Sequence, residues 1–202
     1  MITVNKDVLE IYPELNILKK YIQDTNGIIA GGCFKNIFTK TKIKDIDIFF
    51  RDEHDLASAV AIYAHLENVT KEYENENVIG YNDNGLKIEL VKKLYVDSYR
   101  NLLNIFDFTV TKAAFETNGP NDFTFAYHEK FFEHLLLKRL VIDQSLTNPI
   151  NTLNRTYRYT RYGYNLCIES KVKLIEALLK TTIPENSTVQ EQLRKGLYDS
   201  LD

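Results

Sequence analysis

Apolar and polar residues alternate over much of the first half of the chain, which predicts β-strands. The segment KIKDIDIFF places Ile46 and Ile48 on one face and Asp45 and Asp47 on the other, because successive side chains of a strand point to opposite sides. The segment GIIAGGCF is an apolar run that stops at a glycine pair. This pattern is typical of a strand that turns into a helix.

Three further stretches have clear patterns. Residues 56–65 have helical spacing, and Asp55 is the expected N-cap. The segment VTKEYENENVIGYNDNGLKIELV predicts two or three strands, with a hairpin turn at Asn84 and Gly85. Beyond about residue 126, apolar residues recur every three or four positions, in HEKFFEHLLLKRLVI, TLNRTYRYTRYGY and IESKVKLIEALLK. This last region is therefore expected to be helical.

The change of pattern divides the chain into two expected parts. We predict an α+β head over residues 1–125, with a small mixed sheet flanked by helices. A helical segment over residues 126–202 is expected to follow it. Ser187 with Gln190 forms a possible capping box before a short final helix.

Composition and charge narrow the classes of protein. The 202 residues are 44% hydrophobic and 26% charged, as in a folded globular protein rather than a disordered one. The net charge of -3 gives no overall attraction to nucleic acid, so any basic surface must be local. Two cysteines, Cys33 and Cys167, are too few for a disulfide framework, so a cytoplasmic location is expected. No apolar run approaches the roughly 20 residues of a membrane span, so no membrane partner is expected.

Three acidic residues are candidates for metal chemistry. Asp45 and Asp47 lie two residues apart on one strand face, about 7 Å along the chain, and Glu89 lies in the strand-like segment GLKIELV. Carboxylate oxygens are the ligands that Mg²⁺ prefers, and two-metal phosphoryl transfer needs several of them. An isolated Asp-x-Asp is more often the acidic solvent face of an edge strand. The third acid makes the pattern more specific.

The glycine pair upstream is a candidate phosphate site. Gly31 and Gly32 precede the helix-like segment CFKNIF, which carries Lys35. Glycines at the start of a helix let backbone N–H groups approach phosphate oxygens, and the helix dipole favours the anion. Alone, the pair is equally well explained as a tight turn and Lys35 as a solvated lysine. Followed by three acids, the pair favours a nucleotide site.

The segment GGCFKNIFTKTKIKDIDIFF resembles the first motif of the polymerase-beta-like nucleotidyltransferases, in particular bacterial poly(A) polymerases and CCA-adding enzymes. That motif has two glycines, a basic residue three positions later, and Asp-x-Asp on the next strand. The basic residue is usually arginine, so Lys35 keeps the charge but loses the bidentate guanidinium. The segment NGLKIELV is similar to the family strand that carries the third acid, which places Glu89 there.

Two later segments extend this resemblance. NIFDFTVTKAAFE is similar to the family segment Arg-Arg-Asp-Phe-Thr-Ile-Asn-Ala, which implies that Asp107 contacts the ribose. Ile105 and Phe106 replace the two arginines that contact phosphate and base in the family. NPINTLNRTYRYTRYGY is similar to the family's neck helix. Asn148 and Asn151 stand where the family has the aspartate and arginine that read the incoming base.

The same neck-like segment carries a candidate RNA-binding surface. Arg155, Arg158 and Arg161 recur every three residues between tyrosines, a combination that suits a nucleic-acid strand. An equally good interpretation is that the tyrosines are buried in the core and the arginines form a solvated face.

The resemblance implies transfer of a nucleoside monophosphate from a nucleoside triphosphate, such as ATP, to an acceptor hydroxyl, with RNA as the family's usual acceptor. Two Mg²⁺ ions, or Mn²⁺ in their place, would be held by Asp45, Asp47 and Glu89. The glycine pair and Lys35 would hold the triphosphate. Two alternatives stay open: a nucleotidyltransferase that modifies a protein or small molecule, and a catalytically silent descendant that binds RNA or a partner protein.

Overall fold

The computed structural model describes residues 1–5, 8–119, 121–144 and 146–181. The strands are β1 Ile2–Asn5, β2 Ile28–Ala30, β3 Asp45–Phe50, β4 Val69–Glu74, β5 Val78–Asp83, β6 Leu86–Tyr95, β7 Ala113–Gly119, β8 Asp122–His128, β9 Arg139–Leu140 and β10 Asn165–Leu166. The helices are α1 Val8–Ile11, α2 Lys19–Ile22, α3 Cys33–Phe38, α4 Glu53–Tyr63, α5 Tyr99–Leu103, α6 Phe131–Leu136, α7 Pro149–Arg161 and α8 Ile168–Leu179. The final helix predicted near Ser187 and Gln190 lies outside the described residues.

The chain divides into two compact units. The first consists of residues 1–106 and 111–131, and the second of residues 107–110 together with the chain from residue 132 onward. The boundary predicted after residue 125 falls inside β8. Residues of this strand pair with β1 and β7, so β8 belongs to the first unit.

The first unit is built on one eight-stranded sheet, in the order β1-β8-β7-β2-β3-β6-β5-β4. β3 and β6 run parallel, and the other neighbouring strands are antiparallel. The predicted α+β class with a mixed sheet is therefore confirmed. The sheet is larger than the small one expected, because β1 and β8, which the sequence pattern did not predict, pair with each other, and β8 also pairs with β7.

The centre of this sheet follows the alternation in the sequence. Ile46 and Ile48 of β3 are fully buried, whereas Asp45 is exposed. The hairpin between β5 and β6 turns at the predicted Asn84 and Gly85, which have φ of 51° and 88°. Two consecutive positive φ angles are typical of the tight hairpin turn that Asn-Gly favours.

Two helix predictions need correction. Helix α4 begins after Asp52, not Asp55, because the Asp52 side chain accepts a hydrogen bond from the Asp55 N–H. The helix expected through HEKFFEHLLLKRLVI ends early, at α6. Lys138 adopts φ of 53°, which a right-handed helix cannot continue, and β9 follows at once.

The second unit contains α7, α8 and the short parallel pair β9 and β10. Its core includes Phe108, Tyr159 and Tyr164. The ring centre of Tyr159 lies 5.7 Å from that of Phe108 and 5.6 Å from that of Tyr164. Helix α7 ends before Gly163, which has φ of 81°. In the described parts of the chain, no helix is both long enough and apolar enough to cross a membrane.

Candidate active site

Two parallel strands bring the predicted acids together. β3 and β6 pair so that Asp45 lies beside Lys87 and Asp47 beside Glu89. Paired residues of neighbouring strands point to the same face of the sheet, and Ile46 and its neighbour on β6 are fully buried on the opposite face. All three carboxylates therefore project from one face of the sheet in the first unit.

The carboxylates are crowded enough to perturb one another. Burial, the charges of Asp45 and Glu89, and a hydrogen bond with Glu89 raise the pKa of Asp47 from 3.8 to about 8. Burial acts against the charge of Glu89 as well, but hydrogen bonds from Lys87 and Tyr73 outweigh it and keep the pKa of Glu89 below its usual value. A divalent cation would relieve this repulsion, and a set of carboxylate oxygens fits Mg²⁺ or Mn²⁺.

The glycine pair forms a turn beside these acids. Gly31 follows β2, whose Ala30 pairs with Asp47, and it has φ of 100°. Its N–H donates to the carbonyl of Ala113 at 3.1 Å. Glycine is required there, because a Cβ would be strained at this φ and would lie 3.3 Å from the ring of Phe106.

Helix α3 leaves this turn with its first residues next to the acids. Cys33 is buried, and burial followed by the negative charges of Asp47 and Asp45 raises the pKa of its thiol well above the ordinary range. Lys35 is also buried, and its Nζ donates to Asn36 Oδ1 at 2.7 Å. Lys35 is thus not the solvated lysine of the alternative interpretation.

Lys87 and Tyr73 were not predicted to take part in the site, yet both contact a predicted ligand. Lys87 Nζ lies 2.8 Å from Glu89 Oε1, and the Tyr73 hydroxyl donates to the same oxygen. Lys87 could have been found from its spacing, because it precedes Glu89 by two residues on the same strand face. Tyr73 could not, because the pairing of three strands determines its position.

In the second unit, Asp107 fixes the beginning of α7. Asp107 is buried, and its Oδ2 accepts from Thr152 Oγ1 at 3.0 Å and from Arg155 at 2.9 Å. Its Oδ1 accepts from the N–H of Phe108 at 3.0 Å. Both oxygens thus have protein donors. Contact of Asp107 with a ribose stays a prediction.

The two predicted base-reading residues lie at the same helix start. Asn148 is the N-cap of α7, and its Oδ1 accepts from the N–H of Asn151 at 3.1 Å. This bond is the ordinary way to satisfy an exposed N–H at a helix N-terminus. A role in base reading stays a prediction for both residues.

The arginine and tyrosine run of α7 and the residues after it separates only in part. Arg155, Arg158, Arg161 and also Tyr157 are exposed, whereas Tyr159 and Tyr164 are buried. Arg155 is held by Asp107. The buried tyrosines agree with the core interpretation, and the exposed arginines are compatible with either a solvated face or a surface that contacts RNA phosphates.

A second acidic group lies at the start of α4. Ligand atoms of Asp52, His54 and Asp55 all lie within 4.8 Å of one another. Asp52 already caps the helix, and Asp55 accepts from Asn26 Nδ2 at 2.6 Å. Helix capping accounts for Asp52 and the hydrogen bond from Asn26 accounts for Asp55, so we assign no metal to this group.

The chain matches one protein family and a group of solved structures. A family model described as the Gabija anti-defense 2 family protein matches residues 4–138. The Bacillus phage SPbetaL7 protein Gabija anti-defense 2 is 24% identical over 181 residues, which are 90% of this chain and 44% of that protein. This chain therefore spans less than half the length of that relative.

Solved structures show the same fold. The Thermotoga maritima CCA-adding enzyme complexed with tRNA is 20% identical, with a TM-score of 0.65 over 96% of this chain and 47% of the enzyme. A CCA-adding enzyme with ATP is 18% identical, with a TM-score of 0.68 over 98% of this chain and 51% of the enzyme. The Bacillus stearothermophilus enzyme with CTP is 16% identical, with a TM-score of 0.64 over 94% of this chain and 49% of the enzyme. The chain thus has the nucleotidyltransferase fold of these enzymes and spans about half their length.

Proposed function

This chain belongs to the Gabija anti-defense 2 family, and we propose that it is a metal-dependent nucleotidyltransferase. It transfers a nucleoside monophosphate from a nucleoside triphosphate to an acceptor hydroxyl. The observation that carries the proposal is the register of β3 and β6, which places Asp47 beside Glu89 with Asp45 on the same face. Three carboxylates on a rigid sheet are a suitable ligand set for a pair of divalent ions.

In the proposed reaction the acceptor hydroxyl attacks the α-phosphorus. A bond forms between the hydroxyl oxygen and phosphorus, the bond from phosphorus to the pyrophosphate oxygen breaks, and the hydroxyl proton passes to water. Asp45 and Asp47 would hold both ions and Glu89 the one near the acceptor. Bound divalent ions supply charge neutralisation on the phosphates and a lower pKa for the attacking hydroxyl.

The triphosphate is proposed to bind at the turn before α3. Gly31 brings backbone close to the acids without a side chain, and Gly32 is the N-cap of the helix. Lys35 supplies a buried positive charge on the same helix, which would favour an anionic ligand. Hydrogen bonds from the backbone N–H groups of this turn to phosphate oxygens would not select a particular base, because phosphate is common to all four nucleotides.

RNA is the proposed acceptor. The exposed arginines of α7 support it, and one structure with this fold is a complex with tRNA. The phage relative's name indicates action against Gabija defence. We therefore propose that nucleotide transfer by this chain counters that defence.

A protein acceptor is the second candidate. The net charge of -3 and the engagement of Arg155 by Asp107 reduce the positive charge available for RNA.

The third candidate is a catalytically silent descendant. The apolar Phe106 beside Gly31 favours it, because the resemblance places an arginine at that position.

One experiment separates these three functions. The protein is incubated with each α-³²P-labelled triphosphate, Mg²⁺, and either total RNA or cell extract. Label in RNA supports the proposal, and label in protein supports the second candidate. Absence of label with every nucleotide, at wild-type folding, contradicts transferase activity. A variant that loses a carboxylate of the site, such as Asp47→Ala, tests whether the label depends on these acids. Asp97→Ala, at an exposed acid outside the site, is the matched control for that variant.

A further inference from the structure

An edge-strand tyrosine reaches the candidate metal site across two strands. Tyr73 lies on β4 and pairs with Gly80 of β5, which in turn pairs with Glu89 of β6. The Tyr73 hydroxyl donates a hydrogen bond to Glu89 Oε1. Its ring therefore lies over β5 to reach the carboxylate.

Gly80 makes this path possible. A Cβ at residue 80 would lie 2.1 Å from a ring carbon of Tyr73, far inside van der Waals contact. Gly80 is not among the glycines with positive φ. Its φ therefore does not require glycine, and the reason for glycine at this position is the space taken by the Tyr73 ring.

Lys87 completes the contacts to the same carboxylate oxygen. Its Nζ lies 2.8 Å from Glu89 Oε1 and 5.3 Å from the centre of the Tyr73 ring. Tyrosine and lysine donors thus converge on one oxygen, and the lysine also packs over the tyrosine. A carboxylate with two fixed donors has little rotational freedom.

We propose that Tyr73 is a positioning residue that orients Glu89 for metal binding. This inference rests on the proposed function, because it assumes that Glu89 is a ligand. The Tyr73 hydroxyl fixes the rotamer of Glu89 before an ion arrives. Gly80 is part of the same device, since it keeps open the space that the tyrosine ring fills.

A purely structural role for Tyr73 makes a different prediction. In that case the ring would hold the edge strand β4 against the sheet, and the hydroxyl would be dispensable. Tyr73→Phe separates the two roles because it keeps the ring over Gly80 and removes only the donor to Glu89.

The test measures Mn²⁺ binding directly, by electron paramagnetic resonance of the free ion, in the absence of nucleotide. Loss of a hydrogen-bond partner of a metal ligand typically weakens metal affinity about 10-fold or more. We expect that weakening in Tyr73→Phe with an unchanged melting temperature. Tyr95→Phe, at an exposed tyrosine at the end of β6, is the matched control and should bind Mn²⁺ as the wild type does.

Gly80→Ala provides a second, independent variant. It forces the Tyr73 ring away from its position, so it should weaken Mn²⁺ binding to the same extent as Tyr73→Phe. The double variant should bind no more weakly than either single one, because both remove the same contact. If Gly80→Ala fails to fold, Tyr73→Phe alone still decides the matter.

The outcomes distinguish this inference from the proposed function. Wild-type protein that binds Mn²⁺, with binding lost in Asp47→Asn but unchanged in Tyr73→Phe, overturns only the role of Tyr73. Wild-type protein that binds no Mn²⁺ overturns both the metal site and the positioning role. Weakened binding in Tyr73→Phe together with a large fall in melting temperature points to the structural role and also overturns the inference.

Discussion

Asp47 and Glu89 lie side by side on parallel strands. Burial, together with the negative charges of Asp45 and Glu89, raises the pKa of Asp47 to about 8, because each of these disfavours the ionised carboxylate. Full ionisation of this pair is therefore unfavourable, and removal of one carboxylate has consequences for activity and stability.

Asp45→Ala and Asp47→Ala should each abolish nucleotide transfer without unfolding the protein. Loss of a carboxylate ligand removes several kcal/mol of charge stabilisation, which corresponds to a loss of about 100-fold or more in rate. Neither change opens a cavity in the core, and both relieve repulsion, so the melting temperature should hold or rise. Transfer rates and thermal melts measure the two effects. Full activity in either variant would show that the metal assignment is wrong.

Gly31→Ala should destabilise the first unit. A side chain in the left-handed region costs about 1–2 kcal/mol, and its Cβ would lie 3.3 Å from the Phe106 ring. For a chain of this size each kcal/mol lowers the melting temperature by about 2–4 °C. Gly32→Ala is the control for stability, because Gly32 has φ of -67°, which alanine adopts readily. Equal melting temperatures for the two variants would contradict the argument.

Replacing Arg158 and Arg161 with glutamine should weaken RNA binding mainly through lost phosphate charge. Each single-strand phosphate contact contributes about 0.7 to the slope of log affinity against log salt. Two lost contacts should therefore flatten that slope by about one unit or more. Arg155 is kept, because it binds Asp107. Binding is measured by fluorescence anisotropy over a range of salt concentrations.

The charge-matched control replaces two exposed lysines with glutamine: Lys171 of α8 and Lys180, which directly follows that helix. It should leave the salt slope close to that of the wild type. If the arginine pair and the lysine pair behave alike, the arginines of α7 form only a solvated face. The protein acceptor would then be the better proposal.

Glu116 should make the protein less stable as pH rises. Burial raises the pKa of Glu116 above its ordinary 4.5, opposed by the charge of Arg51 at 3.9 Å, and its Oε2 has no hydrogen-bond partner among the described residues. A raised pKa in the folded state means that folding favours the protonated form. The stabilisation is therefore complete below about pH 4.5 and is lost as pH rises through the folded pKa.

Glu116→Gln should remove this dependence, because the amide is neutral at every pH. Urea unfolding of the wild type and the variant between pH 4 and 8 gives the difference in unfolding free energy at each pH. That difference should grow in favour of the variant as pH rises. Glu67→Gln, at an exposed glutamate, should show no such trend. A pH-independent difference for Glu116→Gln would count against a buried, ionisable carboxylate.

The sequence predicted the structure correctly where a local pattern of residues determines it. Ile46 and Ile48 alternate with Asp45 and Asp47, so the face of each side chain followed directly. The Asn84–Gly85 turn followed from the backbone angles that only a few residues adopt. Glu89 was grouped with these acids because it lies in a strand-like segment of its own, and the family resemblance then supported that grouping.

Local sequence patterns did not predict the structure correctly where contacts between distant parts of the chain determine it. The helix expected through residues 128–142 gave way to α6 and β9, since apolar runs are compatible with either structure. Asp52, rather than the predicted Asp55, caps α4. The prediction was wrong by three residues because helix boundaries are difficult to locate to within a few residues. Tyr73 could not be assigned, because its approach to Glu89 depends on how three strands pair.

The alternation within β3 also places core residues and candidate site residues at different positions of one strand, so the two sets can evolve separately. Residues 46 and 48 are part of the buried core, whereas residues 45 and 47 carry the proposed metal chemistry. A lineage can therefore change or lose the reaction through mutations at the odd positions while its architecture persists. In a library of random variants, survivors selected for folding alone should accumulate changes at Asp45 and Asp47, and the isoleucines between them should remain apolar.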